Sequence, residues 1–410
     1  MRVLLTDGSG LTARQVATQL AAAGHTVEVL TPDPFALTRF TTHVRRVHRV
    51  PRYGTDPFAW LDAALAVYTN GAFDVLFPTH EQVAVLSRSP ARLHDAGVVT
   101  AVPSFEALAE VQDKVRAHST LTRLSLATPA TEVARSAAEL AAWERVPVFL
   151  KAPIGTATSG VVYATHRDEL AATASAWDAD GAFDDGGGAL VQTPVTGPLV
   201  MVQSVFERGE LVAAHANVRV REGTRGGASH KRSIDLPEAR EHLQTLGAAL
   251  RWHGALSADA ILTDAGPVYI DVNPRLVEPG NAWRAGVDLV DALLRVARGE
   301  PRKMQAPGRA DIATHQLLLA VTSAAHDRAP RRAVLRELLD AGRQRGTYRD
   351  SVEELTPLHR DPRTLIPVGV AVAANVVHPS IWEALSSGAV ANYALTPKAW
   401  QALRDGGTAA

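Results

Sequence analysis

The chain of 410 residues contains no cysteine. That absence excludes disulfides, thiolate metal sites and cysteine nucleophiles, and it removes the usual clue to redox compartment. Neither sign of charge is in excess: 42 Lys and Arg stand against 43 Asp and Glu. Whole-chain electrostatics therefore supply no attraction to nucleic acid or to an anionic membrane. Long apolar runs are missing too. The longest, Leu365 to Val377, falls well short of the ~20 residues that span a bilayer and contains Pro367, so a buried element is expected there. The opening MRVLLTDGSG has one Arg and an apolar run too short for a secretory signal, and reads as the first strand of a cytoplasmic protein. Small molecules are the default partners.

What is present begins as α/β. RVLLTD reads as a strand, GSG as a turn, residues 11–24 as an amphipathic helix ended by Gly24, and HTVEVLTPD as a second strand. Gly8, Gly10 and Ala13 match G-x-G-x-x-A, with Asp33 about 20 residues downstream as in a dinucleotide fingerprint. The same glycines would equally serve a tight turn with no cofactor. AFDVLFPTHEQ (72–82) is expected to hold a third strand and GVVTAVPS (97–104) a fourth, which ends a first domain near residue 103.

A helix from residue 105 carries Lys114 and breaks by Pro129. VPVFLKAP then reads as a strand with Lys151 near its end, followed by the small-residue loop Gly155, Thr156, Ala157, Thr158, Ser159, Gly160. Backbone N–H groups of such a loop can approach phosphate oxygens with little in the way, and a strand-end lysine adds a point charge for the same oxygens. It is not a Walker loop, because Val161 follows and no helix begins there. Farther on, Arg219, Arg221, Arg225, Lys231 and Arg232 gather in a glycine-containing stretch, and 221–232 is expected to be a closing loop that faces an anion.

VYIDVNPRL (268–276) reads as a strand, yet Asp271, Asn273 and Arg275 occupy alternate positions and project to one face. Asp259 lies on the preceding strand, ALSADAILTD, joined by a short TDAGP connection, so the two carboxylates can converge. Two carboxylates and an amide oxygen form a hard ligand set suited to Mg²⁺ or Mn²⁺, with remaining positions left for phosphate and water.

In this order, Lys114 on a helix, Lys151 ending a strand, the loop 155–160, Asp259 and the Asp271-Val272-Asn273-Pro274-Arg275 run resemble the ATP-grasp superfamily, carboxylate–amine ligase type. The resemblance covers roughly residues 1–300. It implies an α/β and α+β chain: a Rossmann-like domain (1–103) that binds substrate rather than NAD, then a two-lobed ATP-grasp domain (104–300, lobes about 104–190 and 191–300). It further implies that Lys114 and Lys151 contact ATP and that the backbone of 155–160 covers the phosphates. Val191 and Gln192 would present backbone groups to adenine, and Asp259, Asp271 and Asn273 would hold Mg²⁺. Arg275 would neutralise carboxylate or acyl-phosphate oxygens, with Lys151 as its catalytic companion. The pattern departs at the ribose, where Gln192, Pro198 and Leu199 stand in place of the usual acid, and at Asp259, which is shorter than the usual Glu.

The implied activity is ATP-dependent conversion of a small carboxylic acid, amino acids included, to an acyl phosphate that an amine displaces to give an amide. His230 and Asp235 are candidates for the base that takes the amine's proton. The alternatives are a carboxylase that activates bicarbonate, although the chain has no biotinyl M-K-M motif, an NAD(P)-dependent oxidoreductase, and a module that holds ATP without turnover. Residues 301–410 read as two helices, an apolar element and short helices without a motif. Arg349, Asp350 and Arg363 there suit surface salt bridges, with a substrate pocket or a homodimer face as the other readings.

Overall fold

The computed structural model describes residues 1–156, 159–184, 187–223, 226–300, 304–325, 330–355, 359–378 and 388–406. Four parallel strands, β1 (Arg2–Leu5), β2 (Thr26–Thr31), β3 (Val44–Arg49) and β4 (Val75–Phe77), form the first sheet in the order β3-β2-β1-β4. Val3, Leu4 and Leu5 of the central strand are fully buried, as a parallel sheet covered on both faces requires. The charged run VRRVHR supplies the edge strand β3, which the sequence reading did not find, and the strand expected at 97–104 is absent. That segment makes one bond to β4, from Leu76 N–H to the Val99 carbonyl at 2.9 Å, and then passes Pro103 into a helix.

The single helix expected from residue 105 is two, Phe105–Gln112 and Lys114–Arg123. Asp113 between them is extended and caps the second helix by accepting the amides of Val115 and Arg116, so Lys114 becomes its first residue. A four-stranded antiparallel sheet follows in the order β5-β8-β6-β7, from β5 (Thr131–Ala134), β6 (Val148–Lys151), β7 (Val161–Ala164) and β8 (Ala189–Gln192).

The largest sheet runs β13-β12-β9-β10-β11-β14-β15. Its strands are β9 (Leu199–Glu207), β10 (Glu210–Glu222), β11 (Ala228–Ile234), β12 (Gly254–Thr263), β13 (Gly266–Asn273), β14 (Ala313–His315) and β15 (Val352–Glu353). Two of these lie beyond residue 300, so the sheet continues past the boundary expected there. Three helices, Leu317–Ala324, Pro330–Gly342 and Leu365–Val377, pack together beside it. The last was expected to be buried. Instead Leu365, Ile366, Val370 and Val377 are 51, 48, 53 and 72% exposed, because only the face bearing Ala371 and Asn375 is fully covered by its neighbours. Among the described residues no helix is long and apolar enough to cross a membrane.

The chain finally returns to its start. In the helix Pro397–Arg404, Trp400 and Leu403 enter the first-domain core with Trp60, Leu61 and Leu86, and the Arg88 guanidinium donates to the Leu403 carbonyl at 2.8 Å.

Candidate functional site

β12 and β13 pair antiparallel with Asp259 directly opposite Asp271 and Ser257 opposite Asn273. Directly opposed residues share a face. A register shift falls between Asp259 and Ala260 in the middle of the ladder, an irregularity of the kind that re-aims a neighbouring side chain. The Asn273 amide donates to Asp259 Oδ2 at 3.4 Å. Lys114 Nζ stands 3.0 Å from Asp271 Oδ1, and Lys151 Nζ donates to the Ile270 carbonyl at 2.5 Å.

Electrostatics separate the two acids. Burial, reinforced by the neighbouring Asp271, pushes Asp259 up to about 7. Burial also acts upward on Asp271, but Lys114 and Lys151 outweigh it and hold this carboxyl below its ordinary value. Burial lowers Lys151 to about 8 against the pull of Asp271. The hard oxygens of the two facing carboxylates are of the kind that suit a divalent ion of the Mg²⁺ type. Among the described residues no three His, Cys, Asp or Glu side chains converge as a metal cage. Asp259, Asp271 and Asn273 would therefore share an ion with phosphate oxygens and water, the usual arrangement for Mg²⁺.

Arg275 is not on the strand with these acids, contrary to the alternation read from the sequence. β13 ends at Asn273, because Pro274 has no N–H to continue the ladder, and the Arg275 amide turns back to the Asn273 carbonyl at 2.8 Å. Its side chain is buried, with Nε 2.8 Å from Glu81 Oε1 of the first domain. Only Nε is engaged among the described residues, which leaves the terminal guanidinium nitrogens for an anion.

The loop after β6 is shaped by its glycines. A Cβ on Gly155 would lie 2.1 Å from the Ser159 carbonyl, and Gly160 has φ +76°. The Thr156 amide donates to Ser159 Oγ at 3.0 Å. Ala157 and Thr158 lie outside the described residues. Val191 and Gln192 sit in β8, which is paired on both sides by β5 and β6, and the Gln192 amide donates to Thr131 Oγ1 at 3.1 Å. The backbone of Val191 is therefore engaged inside the sheet.

Other expectations separate from this centre. Most of the stretch 221–232 is paired strand and not loop: β10 and β11 form a hairpin across it, with residues 224 and 225 outside the described residues. Arg221 pairs with Glu337 at 2.6 Å, and Lys231 is buried between Glu278 and Glu354 at 2.5 and 2.9 Å. Arg219 lies 3.2 Å from Glu222, and Arg225 is outside the described residues. His230 packs on His315 and Tyr348, and Asp235 pairs with Arg240 at 3.5 Å; neither joins the acid pair. Of the C-terminal residues, Arg349, Asp350 and Arg363 are all exposed.

The G-x-G-x-x-A turn is filled from within. Asp7 Oδ2 accepts the amides of Ser9 at 2.6 Å and Gly10 at 3.2 Å, which occupies with the chain's own carboxyl the place a pyrophosphate would take. A Cβ on Gly8 would lie 2.4 Å from Thr38 Oγ1, and one on Gly10 2.2 Å from His80 Nε2. These glycines admit neighbouring side chains. Sequence reasoning also missed Glu81 as the partner of Arg275. Its signal was position, since PTHEQ directly follows β4, and ligands of open α/β sheets gather beyond the carboxyl ends of the strands.

No family model and no curated protein matches the sequence. Solved structures do match. The biotin carboxylase domain of Hydrogenobacter thermophilus 2-oxoglutarate carboxylase, solved with MgADP and bicarbonate, is 17% identical; the match covers 76% of this chain and 73% of that one, with a TM-score of 0.59. Carboxyaminoimidazole ribonucleotide synthase of Aspergillus clavatus, complexed with ATP, is 16% identical over 77% of this chain and 81% of that one, also at 0.59. An L-amino acid ligase of Bacillus licheniformis is 15% identical over 77 and 80%, at 0.58. Likeness at this identity is a likeness of fold.

Proposed function

Starting from the ATP-grasp fold that this chain shares with those structures, we propose that the protein is an ATP- and Mg²⁺-dependent ligase. It activates a small carboxylic acid, an amino acid being the leading candidate, as an acyl phosphate and couples it to an amine. The observation that carries this reading is the single ladder position at which Asp259 faces Asp271, with Lys114 in contact and Lys151 beside them.

A carboxylate is a poor acyl donor, since its leaving group would be oxide. Bound ATP and Mg²⁺ would supply the phosphoryl group and offset its charge, Mn²⁺ being a substitute with similar ligand demands. The protein's part is positioning and electrostatics. Asp259, Asp271 and Asn273 would hold the ion, Lys114 and Lys151 would face phosphate oxygens, and the loop 155–160 would cover them with backbone amides. Arg275, fixed through Nε by Glu81, would present its remaining nitrogens to the substrate carboxylate. The three relatives named above support the nucleotide, as two were solved with ADP or ATP.

The test is a screen for ADP release across amino acids, other carboxylates and amines, with mass detection of the product. An amide product with stoichiometric ADP is expected. ADP release with bicarbonate and no amine would favour the carboxylase alternative. Asp259→Asn should lower turnover by about 10²-fold or more, as loss of a group that stabilises transition-state charge does. Full turnover in that variant would refute the assigned role.

A further inference from the structure

Residues 392–396 form a short strap pinned to the first domain at both ends. The Asn392 side-chain amide donates to Ser9 Oγ at 3.2 Å and to Asp33 Oδ2 at 3.4 Å, and the Thr396 hydroxyl donates to the Gly54 carbonyl at 2.9 Å. Backbones run close here. A Cβ on Gly54 would lie 2.6 Å from the Ala394 carbonyl.

Between its two pins the strap touches the glycine loop. The Leu395 backbone amide donates to Thr156 Oγ1 at 3.3 Å, on a threonine only 3% exposed. Ile154, which leads into the loop, belongs to one buried apolar cluster with Leu395, Trp400 and Leu86 of the first domain. The loop itself is a formed turn: the Ser159 amide donates to the Thr156 carbonyl at 3.0 Å, and the Ala152 amide to the Gly160 carbonyl at 2.8 Å. Its lead-in is also tied to the Lys114 helix, whose first amide donates to the Pro153 carbonyl at 2.9 Å. Beside the turn the protein is open. A cavity of about 480 Å³, bordered by Ser159, Gly160, Trp177, Lys398 and Trp400, gives the turn room to move once an anchor is lost.

We propose that the strap positions the glycine loop for nucleotide, with Leu395 as the positioning residue and Thr156 as the group it acts on. The inference rests on the reading that this loop covers ATP phosphates. A loop of small residues bounded by two glycines has many conformations to lose, and ordering it only when ligand arrives subtracts from affinity. The strap imposes that order when the chain folds. The C-terminal segment thus contributes to nucleotide affinity although it supplies none of the groups assigned to the phosphates.

The test measures affinity for a non-hydrolysable ATP analogue with Mg²⁺ by calorimetry, beside thermal melting, in the full chain. Leu395→Ala removes packing that seats the strap, and Thr156→Val removes the acceptor while keeping the shape. Each should weaken the analogue by about tenfold, the size of effect expected when a few preorganised groups are freed. Thr156→Ser, which keeps the hydroxyl, should bind as wild type does. Leu403→Ala is the control, since Leu403 lies in the same cluster but its carbonyl bonds to Arg88 and not to the loop. It should lower Tm and leave affinity within about twofold of wild type. Leu395→Ala combined with Thr156→Val should cost less than the product of the separate effects, because both break one contact. Unchanged affinity in folded Leu395→Ala and Thr156→Val, an equal loss in Leu403→Ala, full additivity in the double variant, or tighter binding in Leu395→Ala overturns the proposal. Should Leu395→Ala fail to fold, Thr156→Val against Thr156→Ser decides. A wild type that binds no analogue refutes the reading of the loop itself, and the proposal falls with it.

Discussion

Asp7 shows how one residue can carry opposite demands. Its carboxyl accepts two loop amides, yet burial pushes it up to about 7. Between the ordinary carboxylate range and pH 7 the folded state keeps a proton that the unfolded chain has released, so stability contributed by this group falls as pH rises through that window. Asp7→Asn removes the titration. Relative to wild type, the variant should gain a few kcal/mol between pH 4 and pH 8, read as a Tm difference that grows with pH. A constant difference would show that burial of Asp7 is not what sets it. The acid pair Asp259 and Asp271 was legible in the sequence, because strand alternation and a short connection decide which side chains share a face. Glu81 was not. Its contact with Arg275 spans 194 positions, and no local pattern encodes a meeting at that separation.

Elements were legible where their hydrophobic period was strong and obscure where a neighbour decided the outcome. β12, β13 and the helix Pro237–Leu250 follow from apolar periodicity. β3 does not, since VRRVHR reads as a solvated run until β2 offers it an edge. The reverse error at 97–104 has the same origin: an apolar segment with no strand partner beyond one bond to Leu76. The hairpin of β10 and β11 looked like a mobile basic loop because the acids that neutralise it, Glu337 and Glu354, lie more than a hundred residues away. The glycine loop, by contrast, was visible as such. Gly155→Ala would drive a Cβ to 2.1 Å from a backbone carbonyl, so the loop must shift. Affinity for MgATP should fall by about tenfold, equivalent to ~1.4 kcal/mol, while Tm stays nearly constant, as measured by calorimetric titration and thermal melting. A large Tm loss with unchanged affinity would make the loop structural.

On the scale of the whole molecule, one buried apolar cluster joins the first sheet, through Val3, Leu5 and Val75, to the acid-bearing sheet, through Val205, Val212 and Ala255, and buried ion pairs reinforce the packing of the first domain against the rest of the chain. Arg275 to Glu81 is one, and Arg14 to Asp361 at 3.3 Å is another. The C-terminal closure was invisible in the sequence, which showed only scattered aromatics after residue 390 and no motif. Leu403 is fully buried in the first-domain core. Leu403→Ala should therefore destabilise that domain by about 2–5 kcal/mol, seen as a lower urea midpoint, although the substitution lies 300 positions from the domain's expected end. A change confined to the C-terminal helix would contradict this packing.

That returning helix also imposes an order on synthesis. While the ribosome is still reading the codons between residue 103 and residue 403, the N-terminal domain has emerged without Trp400 and Leu403, and a patch of its interior faces water or whatever chaperone attends it. At the usual elongation speed of about 5–20 residues per second this interval lasts roughly 15–60 s. The nascent chain thus waits on its own last turn of helix to seal the first unit it made.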